Sequence, residues 1–228
     1  FISTKAGRIG NEFKYGYYDI IQSVMKSLKR LGIKYIDIVF IHDIECCKSR
    51  NIILEESLPA LKYLQKQGFV KYIGISGLYL NQLNYVSDNF KIDYILTYCC
   101  YTLINNSLTK YSDKWKEQNI KIIQGGVTSM GLLTPQGPPR WHPASYDIKA
   151  VCNKLNHFCS EKNINIVEKA FYYTYQNANI DTILLGITSA NQLDQYIDWV
   201  NRLYCNNKIY INSLVEMSKP IHNKLWNE

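Results

Sequence analysis

Short runs of apolar, β-branched residues alternate along this chain with longer stretches whose apolar residues fall on one helical face. The short runs lie near residues 1–4, 35–41, 70–76, 92–98, 121–125 and 182–186, and predict six strands. Between the first two, Ile20, Ile21, Val24, Leu28 and Leu31 form an amphipathic stripe over residues 17–31, with Gly32 as its stop signal. The next unit repeats the logic: Leu58, Leu61 and Leu64 share a face, and Gly68 closes the helix just before the strand at 70–76. Shorter helices are predicted over 79–89 and 107–119, and four more over 146–162, 166–177, 191–204 and 213–227.

This βα repeat predicts a parallel sheet covered by helices, which leaves a doubly wound open sheet or a closed barrel. The first βα turn, residues 5–10, lacks the Gly-x-Gly-x-x-Gly of a doubly wound dinucleotide site. The expected fold is therefore a TIM-type (β/α)8 barrel, as a single domain over residues 1–228. Such a barrel has eight strands in roughly 250 residues or more, so six strands leave it two βα units short. Because Phe1 already lies inside a predicted strand, the deficit is expected on the N-terminal side. The Pro- and Gly-rich connection at 126–146 is long enough to be functional, and following a barrel strand it falls on the face where active sites of this fold are built. Residues 205–228 are expected to form a C-terminal helical tail.

Composition narrows the class. Of 228 residues, 46% are hydrophobic and 20% charged, as in ordinary globular proteins. No apolar run approaches the roughly 18 residues that a membrane span requires. The net charge of +7 is spread along the whole sequence, so no nucleic-acid partner is expected. The seven cysteines include two adjacent pairs, Cys46 with Cys47 and Cys99 with Cys100, and none has zinc-ligand spacing. A reducing compartment, the cytoplasm, and no metal site are the expectation, with Cys99 and Cys100 in the core.

In a barrel, polar residues at the C-terminal ends of strands are the candidates for chemistry. Lys5 follows Phe-Ile-Ser-Thr, His42 follows Ile-Asp-Ile-Val-Phe-Ile, Ser76 follows Tyr-Ile-Gly-Ile, and Tyr98 ends Tyr-Ile-Leu-Thr-Tyr. A lysine at a buried strand end reaches solvent, or pairs with an acid and tunes a neighbour. A neutral imidazole at His42 suits orienting a carbonyl or shuttling a proton, and a hydrogen-bonded structural histidine fits the same place.

Taken together, Ser-Thr-Lys at residues 3–5 and Tyr-Ile-Asp-Ile-Val-Phe-Ile-His-Asp at 35–43 resemble the aldo-keto reductases. The segments Lys-Tyr-Ile-Gly-Ile-Ser-Gly at 71–77, Ser-Met-Gly-Leu-Leu-Thr at 129–134 and Leu-Leu-Gly-Ile-Thr-Ser-Ala-Asn-Gln-Leu at 184–193 agree in order and spacing. His-Asp-Ile-Glu at 42–45, Tyr-Cys-Cys-Tyr at 98–101 and Gly-Pro-Pro-Arg-Trp-His-Pro-Ala-Ser at 137–145 resemble the plant-type L-galactose dehydrogenase branch of that family.

The resemblance implies hydride transfer between a nicotinamide cofactor and a sugar or other small carbonyl or alcohol substrate. It makes Lys5 and His42 catalytic: the lysine lowers the pKa of a tyrosine acid or base, and the histidine orients the reacting oxygen. The family's Asp and Tyr belong to its second βα unit and have no counterpart in residues 1–228. Ser76 matches the position that holds the nicotinamide carboxamide, and Gly77 stands where the family usually has Asn. Tyr98 replaces a frequent Gln, where its ring either stacks on the nicotinamide or packs in the core. Gly126 and Gly131, then Gly186, Thr188 and Gln192, complete the implied cofactor set. Gly186 and Gln192 occupy positions where NADP-using relatives carry Lys and Arg, so NAD is expected, with NADP as the alternative. Trp141 and His142 are expected to cover a sugar ring and bond its hydroxyls, with loop packing as an equal reading. A second function stays open: a non-catalytic barrel kept as a cofactor-binding sensor, or as a subunit whose partner or second copy covers the open sheet edges.

Overall fold

The computed structural model describes residues 1–10, 12–202 and 210–226. β1 (Ser3–Ala6) leads into a small antiparallel hairpin, β2 (Arg8–Ile9) and β3 (Glu12–Phe13), followed by α1 (Tyr17–Leu31) and β4 (Ile36–Ile41). α2 (Arg50–Ile52), a π-helical turn over Ile53–Ser57 and α3 (Leu58–Lys66) precede β5 (Val70–Gly77). Then come α4 (Leu80–Asn89), β6 (Tyr94–Tyr98), α5 (Thr109–Glu117) and β7 (Lys121–Gly125). The order continues with α6 (Tyr146–Glu161), α7 (Ile166–Tyr175), β8 (Thr182–Leu184), α8 (Ala190–Asn201) and α9 (Ile211–Ser218).

All six strands expected from the apolar runs are present, most shifted by one to three residues at an end. The hairpin leaves no trace in the apolar pattern, because strands of two residues are too short to show a period. The π-helical turn has a cause in Pro59, which offers no N–H and whose ring crowds the carbonyl of Glu55 one turn back. In α1 the stripe buries Ile20, Val24 and Leu28, while Leu31 is exposed where the helix stops. Gly32 takes φ 66° there, and its N–H returns to the carbonyls of Leu28 and Lys29. α8 closes at Asn201, earlier than expected. Residues 203 and 204 of the expected helix, and 205–209 and 227–228 of the expected tail, lie outside the described residues. Within the tail, α9 and a 3₁₀ turn at Lys219–Ile221 are helical.

The sheet order is β1-β4-β5-β6-β7-β8, the order of the chain once the hairpin is set aside. β1 pairs with β4, β4 with β5 and β5 with β6, all parallel. Sequential parallel strands joined by helices are the construction of a (β/α)8 barrel, and six of its eight strands are here. No described helix is long and apolar enough to cross a membrane.

The chain divides into two compact units. The first comprises Phe1–Thr97 and Tyr111–Ile123. On the inner side of its strands Ile38, Phe40, Leu96 and Ile123 form a cluster with Tyr72 and Tyr94 against it. Gly74 makes room for this layer, since a Cβ there would lie 2.8 Å from the Phe40 ring. The second unit, Tyr98–Lys110 with Gln124–Glu228, packs α6, α7, α8 and α9 around Leu103, Leu155, Phe171, Trp199 and Leu214. Burial of each such side chain contributes about 1.5–3 kcal/mol, which is what sets these helices in place.

Candidate active site

In the first unit the parallel register sets Lys5 beside Phe40, and the next step brings the His42 N–H onto the Ala6 carbonyl at 2.8 Å. The two residues singled out from the sequence thus leave neighbouring strands at the same end. Lys5 is half-buried, and among the described residues its ammonium makes no hydrogen bond or ion pair. The His42 side chain is 28% exposed, and its pKa is lowered from the ordinary imidazole value, first by burial. Asp43 favours the protonated ring, while the charges of Lys5 and Arg8 oppose it. The backbone at this turn is held tightly. The Tyr15 hydroxyl lies 2.8 Å from the His42 carbonyl and 2.9 Å from that of Asp43.

Ser76 is buried, and its hydroxyl is engaged: it accepts from the Asp43 N–H at 3.2 Å and donates to the Ile41 carbonyl at 3.4 Å. Gly77 is a close-approach position. A Cβ there would meet Glu45 Oε2 at 2.3 Å, so the absence of a side chain is what admits that carboxylate. Glu45 Oε1 in turn accepts the Leu78 N–H at 2.7 Å. The ends of β4 and β5 are therefore clasped twice, through Ser76 and through Glu45. Burial raises the Glu45 pKa, with the Leu78 N–H pulling the other way.

The second unit holds the remaining candidates. Tyr98 is half-buried at the end of β6. Gly126 has φ 65°, and a Cβ on it would press on Cys99 Sγ at 2.8 Å. Gly131, with φ 99°, follows two further left-handed residues, Ser129 and Met130. Both glycines are demanded by the backbone of the turn itself. Cys99 and Cys100 are buried, as expected.

The loop after β7 sorts its two aromatic candidates differently. Trp141 is 70% exposed, whereas His142 is 3% exposed. His142 Nε2 lies 3.1 Å from the Ser129 carbonyl, and Nδ1 accepts the Ala144 N–H at 3.0 Å. Both ring nitrogens of His142 are thus bonded to the loop backbone, the arrangement that the loop-packing reading expects. After β8, Gly186 is exposed and a Cβ there would meet nothing within 4 Å. Gln192 Oε1 accepts from the Thr188 N–H at 2.8 Å, and Ser189 Oγ accepts from the Gln192 N–H at 3.3 Å. This reciprocal pair caps α8, whose first turn is exposed.

Three site residues escaped the sequence reading. Arg8 forms an ion pair with Asp43, Tyr15 holds the turn, and Glu45 stands under Gly77. Glu45, like Asp43, stood within His-Asp-Ile-Glu without a role of its own, and Arg8 and Tyr15 carry no local signal.

A model of the Aldo/keto reductase family matches residues 1–209. L-galactose dehydrogenase of Arabidopsis thaliana is 32% identical over 230 residues, which cover 99% of this chain and 72% of that protein. D-arabinose 1-dehydrogenase of Saccharomyces cerevisiae is 30% identical over 210 residues, 87% of this chain and 62% of that one, so the chain spans less than two thirds of this second relative. Among solved structures, an aldo-keto reductase from Bacillus halodurans in its holo form matches with a TM-score of 0.74 at 20% identity, over 93% of this chain and 72% of that one.

Proposed function

Because the chain belongs to the aldo/keto reductase family, a family of oxidoreductases, we propose that it is the greater part of an NAD-dependent dehydrogenase for a sugar. The observation that carries the reading is the pairing of Lys5 and His42 on adjacent parallel strands, at one end of both. The relatives named above act on L-galactose and D-arabinose, which makes a polyhydroxy aldehyde or its cyclic form the substrate class.

The roles follow from chemistry. The Lys5 ammonium, with no carboxylate to neutralise it among the described residues, lowers the pKa of a nearby phenol and so readies it to exchange a proton with the substrate hydroxyl. His42, kept neutral by burial, donates a hydrogen bond to the reacting oxygen and fixes its direction. The family's phenol and its partner Asp are supplied from outside residues 1–228 in this reading.

The residues present suit a nicotinamide dinucleotide. Space at Gly186 and the open first turn of α8 would accept a phosphate, with Thr188 beside them, and the Tyr98 ring would lie against the nicotinamide. The cofactor, when bound, accepts or supplies the hydride. Neither Gly186 nor Gln192 offers a cation for a 2′-phosphate, which favours NAD over NADP. Trp141, exposed on the loop after β7, is the residue for covering a sugar ring. The cytoplasm suits a chain whose cysteines form no disulfide among the described residues.

The test is to follow reduced-nicotinamide absorbance in the intact protein with L-galactose, D-arabinose and a panel of aldehydes, using NAD and NADP. Turnover with NAD is expected, and Lys5→Met or His42→Ala is expected to cut kcat/KM by roughly 10²-fold or more. Tight cofactor binding with no turnover on any substrate would replace this reading with the non-catalytic sensor.

A further inference from the structure

The end of β4 contains an arrangement that the family tetrad leaves unexplained. Asp43 follows His42 directly, its side chain is 9% exposed, and its Oδ2 lies 3.6 Å from His42 Nε2. A buried carboxylate this close ordinarily draws a proton onto an imidazole, which would convert a neutral hydrogen-bond donor into a cation. Yet the same Oδ2 is already taken by the guanidinium of Arg8.

Arg8 is brought there by the β2–β3 hairpin. Its Nε donates to the Gly10 carbonyl at 3.3 Å, and its guanidinium lies 5.7 Å from the Phe13 ring centre, so the side chain is fixed at both ends. Asp43 is held as firmly. It adopts a left-handed backbone at φ 45°, unusual for a residue other than glycine. Its N–H is given to Ser76 Oγ and its carbonyl faces the Tyr15 hydroxyl. Strained backbone kept by so many bonds marks a position where geometry matters to function.

The charged groups facing His42 are Lys5 from β1, Arg8 from β2 and Asp43 from its own turn; from β5 it is the uncharged Ser76 that reaches this turn. The charges of Lys5 and Arg8 oppose protonation, while Asp43 and a hydrogen bond between the ring and the Arg8 backbone favour it.

Resting on the dehydrogenase reading for its purpose, we propose that Arg8 is a positioning residue for His42: by engaging the Asp43 carboxylate it keeps that carboxylate from pairing with the imidazole, and so holds His42 neutral as a donor to the substrate oxygen. Arg8 touches neither substrate nor cofactor in this role. It acts through Asp43, and its own charge opposes protonation of the ring in the same direction.

The experiment titrates the His42 ring by NMR in the intact protein, with His42→Asn to assign its resonance, alongside the pH profile of kcat/KM. Arg8→Met is expected to raise the His42 pKa by roughly one unit and to move the acid limb of the profile upward by the same amount. Arg8→Lys is expected to restore most of both shifts, because an ammonium still pairs with the carboxylate. Asp43→Asn in the Arg8→Met background is expected to reverse them, and Asp43→Asn alone to lower the His42 pKa further. An unmoved imidazole titration in Arg8→Met, or a loss of activity at every pH that Asp43→Asn does not reverse, overturns the proposal. Should Arg8→Met not fold, Arg8→Gln, which removes the charge while keeping a polar side chain, takes its place with the same expected rise, and an unmoved titration there overturns the proposal equally. Because the NMR titration needs no turnover, failure of the dehydrogenase reading and failure of this inference remain distinguishable.

Discussion

Glu45 and Gly77 show how one side chain governs another at the residue scale. The carboxylate fills the space a Cβ at 77 would need, 2.3 Å from its Oε2, and that oxygen is buried without a hydrogen-bond partner. An unsatisfied buried acceptor costs about 1–3 kcal/mol, more when charged, so burial raises the Glu45 pKa. The folded-state pKa then lies above the unfolded one, and this group's contribution is fully present below about pH 4.3 and is lost as pH rises through the folded value. Glu45→Gln keeps an acceptor for the Leu78 N–H without burying a charge. Its melting temperature relative to wild type is expected to be higher at pH 8 than at pH 4.5, and thermal melts at the two pH values check this. Gly77→Ala, by contrast, is expected to lose about 1–3 kcal/mol in denaturant unfolding, because the carboxylate and the Leu78 bond must both move.

At the scale of elements, the loop after β7 separates two residues that sequence treats alike. His142 is the strut of that loop, tied to the Ser129 carbonyl and the Ala144 N–H, while the Ser129 hydroxyl reaches the Thr102 hydroxyl at 3.2 Å. Trp141 has no comparable burial. Trp141→Ala is therefore expected to raise KM for the sugar by roughly five- to ten-fold with little change in kcat or melting temperature. His142→Ala is expected to lower stability by about 2 kcal/mol, leaving the Ala144 N–H and Ser129 carbonyl without their partner. Steady-state kinetics and melts on the two variants check both, and a stability loss confined to Trp141→Ala would invert the assignment.

Across the whole molecule, protonation couples to folding through the histidines. Burial lowers the pKa of His42, His142 and His222. For an imidazole whose folded pKa lies below its unfolded value, the unfolded chain binds the proton first, so stability is full above about pH 6.5 and falls as pH drops through that value. Melting temperature is expected to decline below that pH, and less steeply in His142→Gln, which removes one of the three groups. A flat profile from pH 7 to 5 would contradict the burial assigned to these rings.

Much of this protein is legible in its sequence, and the reason is periodicity. Apolar runs and helical stripes are set by neighbours in sequence, so the strands, the helix α1 and its Gly32 stop were each placed within a few residues. Strand order follows from the same repeat, because short βα connections leave few other topologies. Lys5, His42 and Ser76 stand at or beside strand ends as the apolar runs placed them, because those runs fix where each strand stops. What the pattern does not contain is contact between residues far apart in the chain. Arg8 meets Asp43 across 35 positions, and Tyr15 reaches the His42 carbonyl across 27. That His142 is spent on its loop, that Ser76 is bonded to the Asp43 N–H, and that Gly77 is a glycine because of Glu45 were decided in the same way. The sequence by itself determined which segments are strands and helices and which residues stand at the strand ends, since local sterics and burial of one face suffice for that. Only the tertiary structure decided which side chains are spent on one another and which are left for a ligand, since hydrogen bonds and ion pairs depend on distances that no spacing along the chain encodes.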